Sequence, residues 1–220
     1  MLHQEMRVYH FLNKEYGLKD LAERRLKISR ITELNDPFEF LGADLSDREF
    51  RKAMLATKKE LSKTKGILCF SKTWRNPVLW SHYADGHKGI CLGFDIPDHF
   101  LIRVHYVKER LRVRGEITEE IMLKFLTTKF EHWSYEEEYR LFLSLEEEED
   151  GLFYANFSDN LKLEQVIVGA NSTITPSELF KAITDIIREL QVFKARPAFR
   201  KFEIVRNRNE KFMGLTTRCT

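Results

Sequence analysis

The sequence predicts an α+β protein, a mixed and mostly antiparallel sheet with flanking helices in one domain spanning 1–220. Three observations carry this. Strand-like segments come both in adjacent pairs and separated by helices. Regular βαβ alternation and a glycine-rich phosphate loop are both missing. Phenylalanine, 17 residues of it, is spread along the whole chain, as one continuous core requires.

Arg7–Phe11 reads as the first strand, and Gly17–Leu26 as a short helix with Leu18, Leu21 and Leu26 near one face. Leu34-Asn-Asp-Pro-Phe38 is a turn, since Asn and Asp bond their own backbone and Pro37 fixes φ. Ser46-Asp-Arg-Glu49 is a capping box that opens a helix over the basic segment 46–65, with seven Lys/Arg between Arg48 and Lys65. Gly66–Ser71 is an apolar strand. Asn76-Pro77 starts a helix that Gly86 ends, and Gly89–Phe94 returns as a strand. Ile102–Val107 alternates as another strand.

Thr118 caps a long amphipathic helix whose apolar face holds Ile121, Met122, Phe125, Leu126, Phe130 and Trp133. Tyr139–Leu145 and Leu152–Phe157 read as a hairpin across the acidic turn Glu146–Asp150. Gln165–Val168 is a buried strand. Thr175-Pro-Ser-Glu178 is a second capping box, with Leu179, Phe180, Ile183, Ile186, Ile187 and Leu190 turned inward. Phe202–Val205 closes the sheet, and a flexible tail is expected at 207–220.

Composition narrows the function classes. A hydrophobic share of 43% and a charged share of 32% are those of a soluble globular protein. The net charge of +2 makes nucleic acid an unexpected partner. No apolar run approaches the roughly 20 residues of a membrane span, so no membrane partner is expected. The N-terminal residues lack a signal-peptide layout, and Cys69, Cys91 and Cys219 form no metal-ligand spacing and no even set for disulfides. A cytoplasmic location is therefore expected.

The richest stretch for chemistry is Cys69–Asp95. In its helix, Trp80, Tyr83 and His87 fall at i, i+3 and i+7, on one side, and offer a stacking surface for a planar ligand such as nicotinamide or adenine. In that reading Trp80 is the support and Tyr83 the contact; the alternative is that both are helix-to-sheet packing. In Tyr135-Glu-Glu-Glu-Tyr-Arg140, Glu136 and Glu138 point the same way if they enter a strand. Paired carboxylates suit general-base work or binding of ribose hydroxyls; the alternative is a solvated acidic turn. Arg140 either binds a phosphate bidentately or neutralises these glutamates. Asp36 and Glu39 read as parts of a structural turn. His-Glu-x-x-His, Cys-x-x-Cys, Gly-x-Ser-x-Gly and Walker patterns are all missing, and no metal is expected.

The segments Leu34-Asn-Asp-Pro-Phe-Glu39, Cys69-Phe-Ser71, Trp80-Ser-His-Tyr-Ala-Asp-Gly-His87, Gly93-Phe-Asp95 and Tyr135–Arg140 together resemble a bacterial family without a functional name, domain-of-unknown-function family 2971. A second likeness is to the ADP-ribosyltransferase fold. Its order of parts is matched by His10, then Ser71-Lys-Thr73 with Tyr83 following, then Glu136-x-Glu138, although Lys72 interrupts the Ser-Thr pattern. That resemblance implies His10 on the ribose, Tyr83 stacked on nicotinamide, and Glu138 binding the ribose 2′-OH and stabilising an oxocarbenium-like centre.

The expected catalytic set is thus Glu138, Tyr83 and His10, and the expected ligand-binding set is Trp80, Ser71, His87, Glu136 and Arg140. The expected function is an NAD-binding, ADP-ribosyltransferase-like enzyme taking a nucleotide-like small molecule, with NAD as substrate. Two alternatives stand beside it. One is a non-catalytic sensor or interaction module of a bacterial defence or stress system with a protein partner. The other is a metal-dependent nuclease or toxin.

Overall fold

In the computed structural model, which describes residues 4–113, 117–184, 186 and 189–208, thirteen strands and five α-helices follow one another. The first half runs β1 (Glu5–Leu12), α1 (Lys14–Glu23), β2 (Arg25–Arg30), α2 (Arg48–Thr64), β3 (Lys65–Ser71), α3 (Pro77–Tyr83), β4 (Ile90–Pro97), β5 (Ile102–Arg103) and β6 (His105–Val107). The second runs α4 (Glu119–Leu126), β7 (Thr128–Phe130), β8 (Glu138–Ser144), β9 (Glu148–Glu149), β10 (Leu152–Asn156), β11 (Lys162–Val168), α5 (Pro176–Ile183), β12 (Gln191–Pro197) and β13 (Ile204–Arg206). The pairs β1–β3, β1–β4, β4–β11, β2–β3, β5–β8, β9–β10 and β12–β13 are antiparallel, while β11–β12 and β6–β7 are parallel. This is the α+β class with a mixed, mostly antiparallel sheet. Among the described residues no helix is long and apolar enough to cross a membrane.

The chain divides into two compact units: Met1–Leu26, Phe70–His99 and Ala155–Thr220 form the first, and Lys27–Cys69 and Phe100–Tyr154 the second. In the first, the strand order is β13-β12-β11-β4-β1. β4 is an interior member flanked by β11 and β1, and it is matched to β1 from Glu5↔Pro97 to Leu12↔Ile90. A strand buried on both faces reads as a continuous apolar run, and Ile90-Cys-Leu-Gly-Phe94 is such a run, buried throughout. Gly93 belongs there because a Cβ would lie 3.0 Å from Gln165 Cβ and 3.1 Å from Tyr9 Cε1. Trp74, Trp80, Cys91, Ile167 and Phe193 form the heart of this core, with Tyr9 and Phe11 packed against it.

The N-caps act as the sequence indicates in α3 and α5, but α3 ends at Tyr83 with Ala84 as its C-cap. That is short of the expected stop at Gly86, so His87 is not on the helix. Asn76 accepts from the Val78 amide at 2.9 Å ahead of Pro77, and Thr175 and Glu178 close a reciprocal box. Elsewhere the boundaries differ. The first helix is Lys14–Glu23, started by the Asn13 side chain and stopped by Arg24 in the left-handed region (φ 54°); Leu26 belongs to β2, whose buried residues alternate as Leu26 and Ile28. Phe180, expected inside, is 52% exposed, while Leu179 and Ile183 face the core; Ile187 and residues 209–220 of the expected tail lie outside the described residues. Phe202 is fully exposed, and the last strand begins at Ile204.

In the second unit, α2 is capped by Asp47, not Ser46; its carboxylate accepts from the Phe50 amide at 2.7 Å and adds negative charge at the positive helix end. Its Met54 joins Ile31, Phe40, Ala43, Ile67 and Phe125 in the core. The expected long helix from Thr118 ends at Leu126. Thr127 and Thr128 are β-branched and favour extended backbone, and Thr128–Phe130 instead pairs with His105–Val107. The alternating stretch Ile102–Val107 therefore serves two ladders, its first part pairing with β8. The expected hairpin also changes partners. β10 turns back on the two-residue β9 across Asp150-Gly151, both at positive φ as a two-residue hairpin loop requires, and β8 pairs with β3 and β5.

Asp20 in α1 is a buried carboxyl, 5% exposed, and burial with Glu23 nearby pushes its pKa up to about 7 against the opposing Lys19 and Arg25. The native state then holds a proton that the unfolded chain releases, so stability falls as pH rises from about 4 to about 7. Asp20→Asn is expected to remove that fall. Thermal unfolding should show the variant more stable than the parent at pH 7 and above, with the difference gone near pH 4.

Candidate functional site

Glu138 and Arg140 occupy alternate positions of β8, so both side chains point to the same face, and both are buried. The Arg140 guanidinium, 0% exposed, uses every N–H it has. Nη1 and Nη2 donate to Glu39 Oε2 and Oε1 at 2.8 and 2.6 Å, Nε and Nη2 to Glu138 Oε1 and Oε2 at 2.8 and 3.2 Å, and Nη1 to the Leu126 carbonyl at 2.7 Å. Lys129 on β7 is the second cation. Its Nζ lies 2.6 Å from Glu136, 3.1 Å from Glu138 and 3.5 Å from Glu39, and 4.9 Å from the centre of the Trp133 ring. Three carboxylates and two cations thus form one buried cluster.

Local backbone chemistry delivers each member. Glu39 is set by the Asn35-Asp-Pro-Phe turn, in which Asp36 Oδ1 accepts from the Phe38 amide at 2.9 Å and the Asp36 carbonyl from the Glu39 amide at 3.0 Å. Glu136 ends a 3-10 turn over Glu131–Glu136, and Glu137 is left-handed (φ 44°). That reversal, rather than strand alternation, brings Glu136 and Glu138 onto one lysine. The Glu138 amide donates to Tyr106 Oη at 2.9 Å and its carbonyl accepts from Val104.

Electrostatics fix the charge states. Burial alone would raise the Glu138 pKa, but Arg140 and Lys129 outweigh it and hold the carboxyl at about 2. The same carboxylates outweigh burial at Lys129 and Arg140 and raise both. The Cys69 thiol next to this cluster is pushed well up by burial, with Glu138 adding to the effect, and Cys91 is raised by burial too. Neither is a poised nucleophile.

Of the residues singled out from sequence, Glu136, Glu138 and Arg140 meet in this cluster, in the second unit. His10, Ser71, Trp80, Tyr83 and His87 all belong to the first unit. Trp80 is fully buried, donates through Nε1 to the Trp74 carbonyl at 2.6 Å, packs edge-on against Phe11 and lies parallel to His87 at 6.3 Å. It offers no free face. Burial lowers the His87 pKa, which favours a neutral ring. Ser71 Oγ closes a turn on Thr73, donating to its carbonyl and accepting from its amide. His10 stands edge-on to Phe70 at 5.7 Å. Tyr83 lines an open cleft with His82, Asn13, Lys14 and Tyr16. Among the described residues no group of His, Cys, Asp and Glu is placed to hold a metal ion.

A second cleft, of about 300 Å³, belongs to the second unit and was not legible in the sequence. Lys129, Lys108, Arg110, Asp36, Phe38 and Phe130 line it. Phe38 and Phe130 are 53% and 43% exposed. Arg110 lies over the Phe38 ring at 5.1 Å, and Phe130 stacks on His132 at 4.6 Å. These groups come from three separate segments, so the one available signal was the Asn35–Glu39 turn. No family model, curated protein or solved structure matches this chain.

A carboxylate held near 2 contributes stability that is present above its ordinary value of 4.5 and lost as pH falls towards 2. Glu138→Gln should therefore lower stability at pH 7, by about 3 kcal/mol as for a broken buried pair. Denaturant titrations should show that gap closing between pH 4.5 and 2.

Proposed function

We propose that this protein binds a small, planar, phosphate-bearing ligand of nucleotide type in the second unit's cleft, and that it acts as a ligand-binding module. The observation that carries this reading is the shared lining: two large rings kept partly in solvent, Phe38 and Phe130, with Arg110, Lys108 and Lys129 on the same cleft. Stacking of a base on an aromatic ring contributes about 1–3 kcal/mol and tolerates different bases. A guanidinium adds bidentate recognition of phosphate. Lys129 belongs both to the buried ion cluster and to the cleft lining.

Binding is favoured over chemistry because both Glu138 oxygens are already engaged by Arg140 and Lys129. A second reading, ADP-ribose transfer or hydrolysis from NAD, keeps one specific support. Glu136 and Glu138 converge on Lys129, a residue of the cleft lining, so a ligand phosphate that draws Lys129 away would free a carboxylate beside it.

Calorimetric titration with NAD and ATP tests the binding reading. Saturable binding is expected, weakened about tenfold by Phe38→Ala and by Arg110→Ala. Failure of both nucleotides to bind, or binding untouched by both substitutions, would sink it. Release of nicotinamide from NAD by the purified protein would move the assignment to the second reading.

A further inference from the structure

Asp36 is 2% exposed, and its two carboxylate oxygens have different fates. Oδ1 accepts from the Phe38 amide at 2.9 Å. Oδ2 is closed off from solvent with no hydrogen-bond partner; among the described residues only Gln165 Oε1 shares that condition. Lys58 feels the charges of Asp36 and Glu39, but its ammonium donates to the Glu39 carbonyl at 2.7 Å, so it offsets charge without bonding Oδ2. A buried acceptor left unfilled is costly, and native proteins keep one where something else fills it. Asp36 lines the cleft just described.

We infer that Asp36 Oδ2 is the specificity-determining acceptor of that cleft. Its ligand carries an N–H edge, a carboxamide or an exocyclic amine on a planar ring, with a phosphate for Arg110 and Lys108. The inference rests on the cleft reading above and names the ligand class for it. Oδ2 can only accept, so a keto or carboxylate group in the same place sets oxygen against oxygen. The acceptor is held ready: Pro37 fixes the backbone beside it, and the bond from the Phe38 amide fixes the carboxylate. One turn thus supplies both the acceptor and, through Phe38, a stacking ring. Oδ2 has no solvent exposure, so admitting the N–H edge requires a side chain over it to move aside.

The test is titration of the full chain with two matched pairs of phosphorylated probes. One pair is nicotinamide mononucleotide against nicotinic acid mononucleotide; the other is AMP against N6,N6-dimethyl-AMP. The donor-bearing member should bind about tenfold or more tightly, the effect of a charge-assisted hydrogen bond. Asp36→Asn keeps an oxygen for the Phe38 amide and turns Oδ2 into a donor. It should erase the preference in the adenine pair and reverse it in the nicotinamide pair. Equal affinities within both pairs for the parent protein, or a preference unchanged in a folded Asp36→Asn variant, overturn the inference while the cleft reading stands. Binding of none of the four removes the cleft reading and the inference with it. If the variant does not fold, the parent protein's two ratios decide.

Discussion

The second unit depends on one side chain. Arg140 brings a full charge into a position with no solvent exposure, and its five N–H groups reach Glu39 in the Leu34–Glu39 turn, Glu138 on its own strand and the carbonyl of Leu126 at the end of α4. A planar fork with two carboxylates in bidentate contact is the geometry in which attraction offsets desolvation. Replacing the pair with apolar groups need not cost stability, whereas leaving either half alone does. The value of the contact is therefore positional: it ties a turn, a strand and a helix end into a single arrangement.

That arrangement decides what the site can do. Three carboxylates beside two cations suggest catalysis when only residue types are considered. In place, their oxygens are committed to Arg140 and Lys129, and the low pKa of Glu138 reports this commitment. What stays in solvent on the cleft beside the buried Lys129 is Phe38 and Phe130. Lys129 thus links the buried charge to the cleft, where the proposed ligand would sit.

The sequence was most informative where structure is local. Asn76-Pro77 and Thr175–Glu178 marked two helix starts through contacts within four residues, and the run Ile90–Phe94 marked a strand buried on both faces. It was least informative where distant pairing overrides local pattern. The apolar period from Ile121 to Trp133 fits one helix, but Thr128–Phe130 pairs with His105–Val107 and cuts the helix short. The Glu136–Glu138 pair was visible, yet its partner Lys129 and the left-handed Glu137 that aims it were not. Glu39, read as a turn residue, meets Arg140 from 101 positions away. Asp36 gave no sign of its unfilled oxygen, because the turn it forms uses only Oδ1 and reads the same from sequence whatever happens to Oδ2.

The most direct measurement is a double-mutant cycle on Glu39 and Arg140, using Glu39→Gln, Arg140→Met and the double variant in equilibrium denaturation. If the contact ties the second unit together, each single change costs more than the pair. The coupling energy should then reach about 2 kcal/mol or more, in the range seen for contacting residues. Costs that simply add, to within about 0.5 kcal/mol, would contradict it.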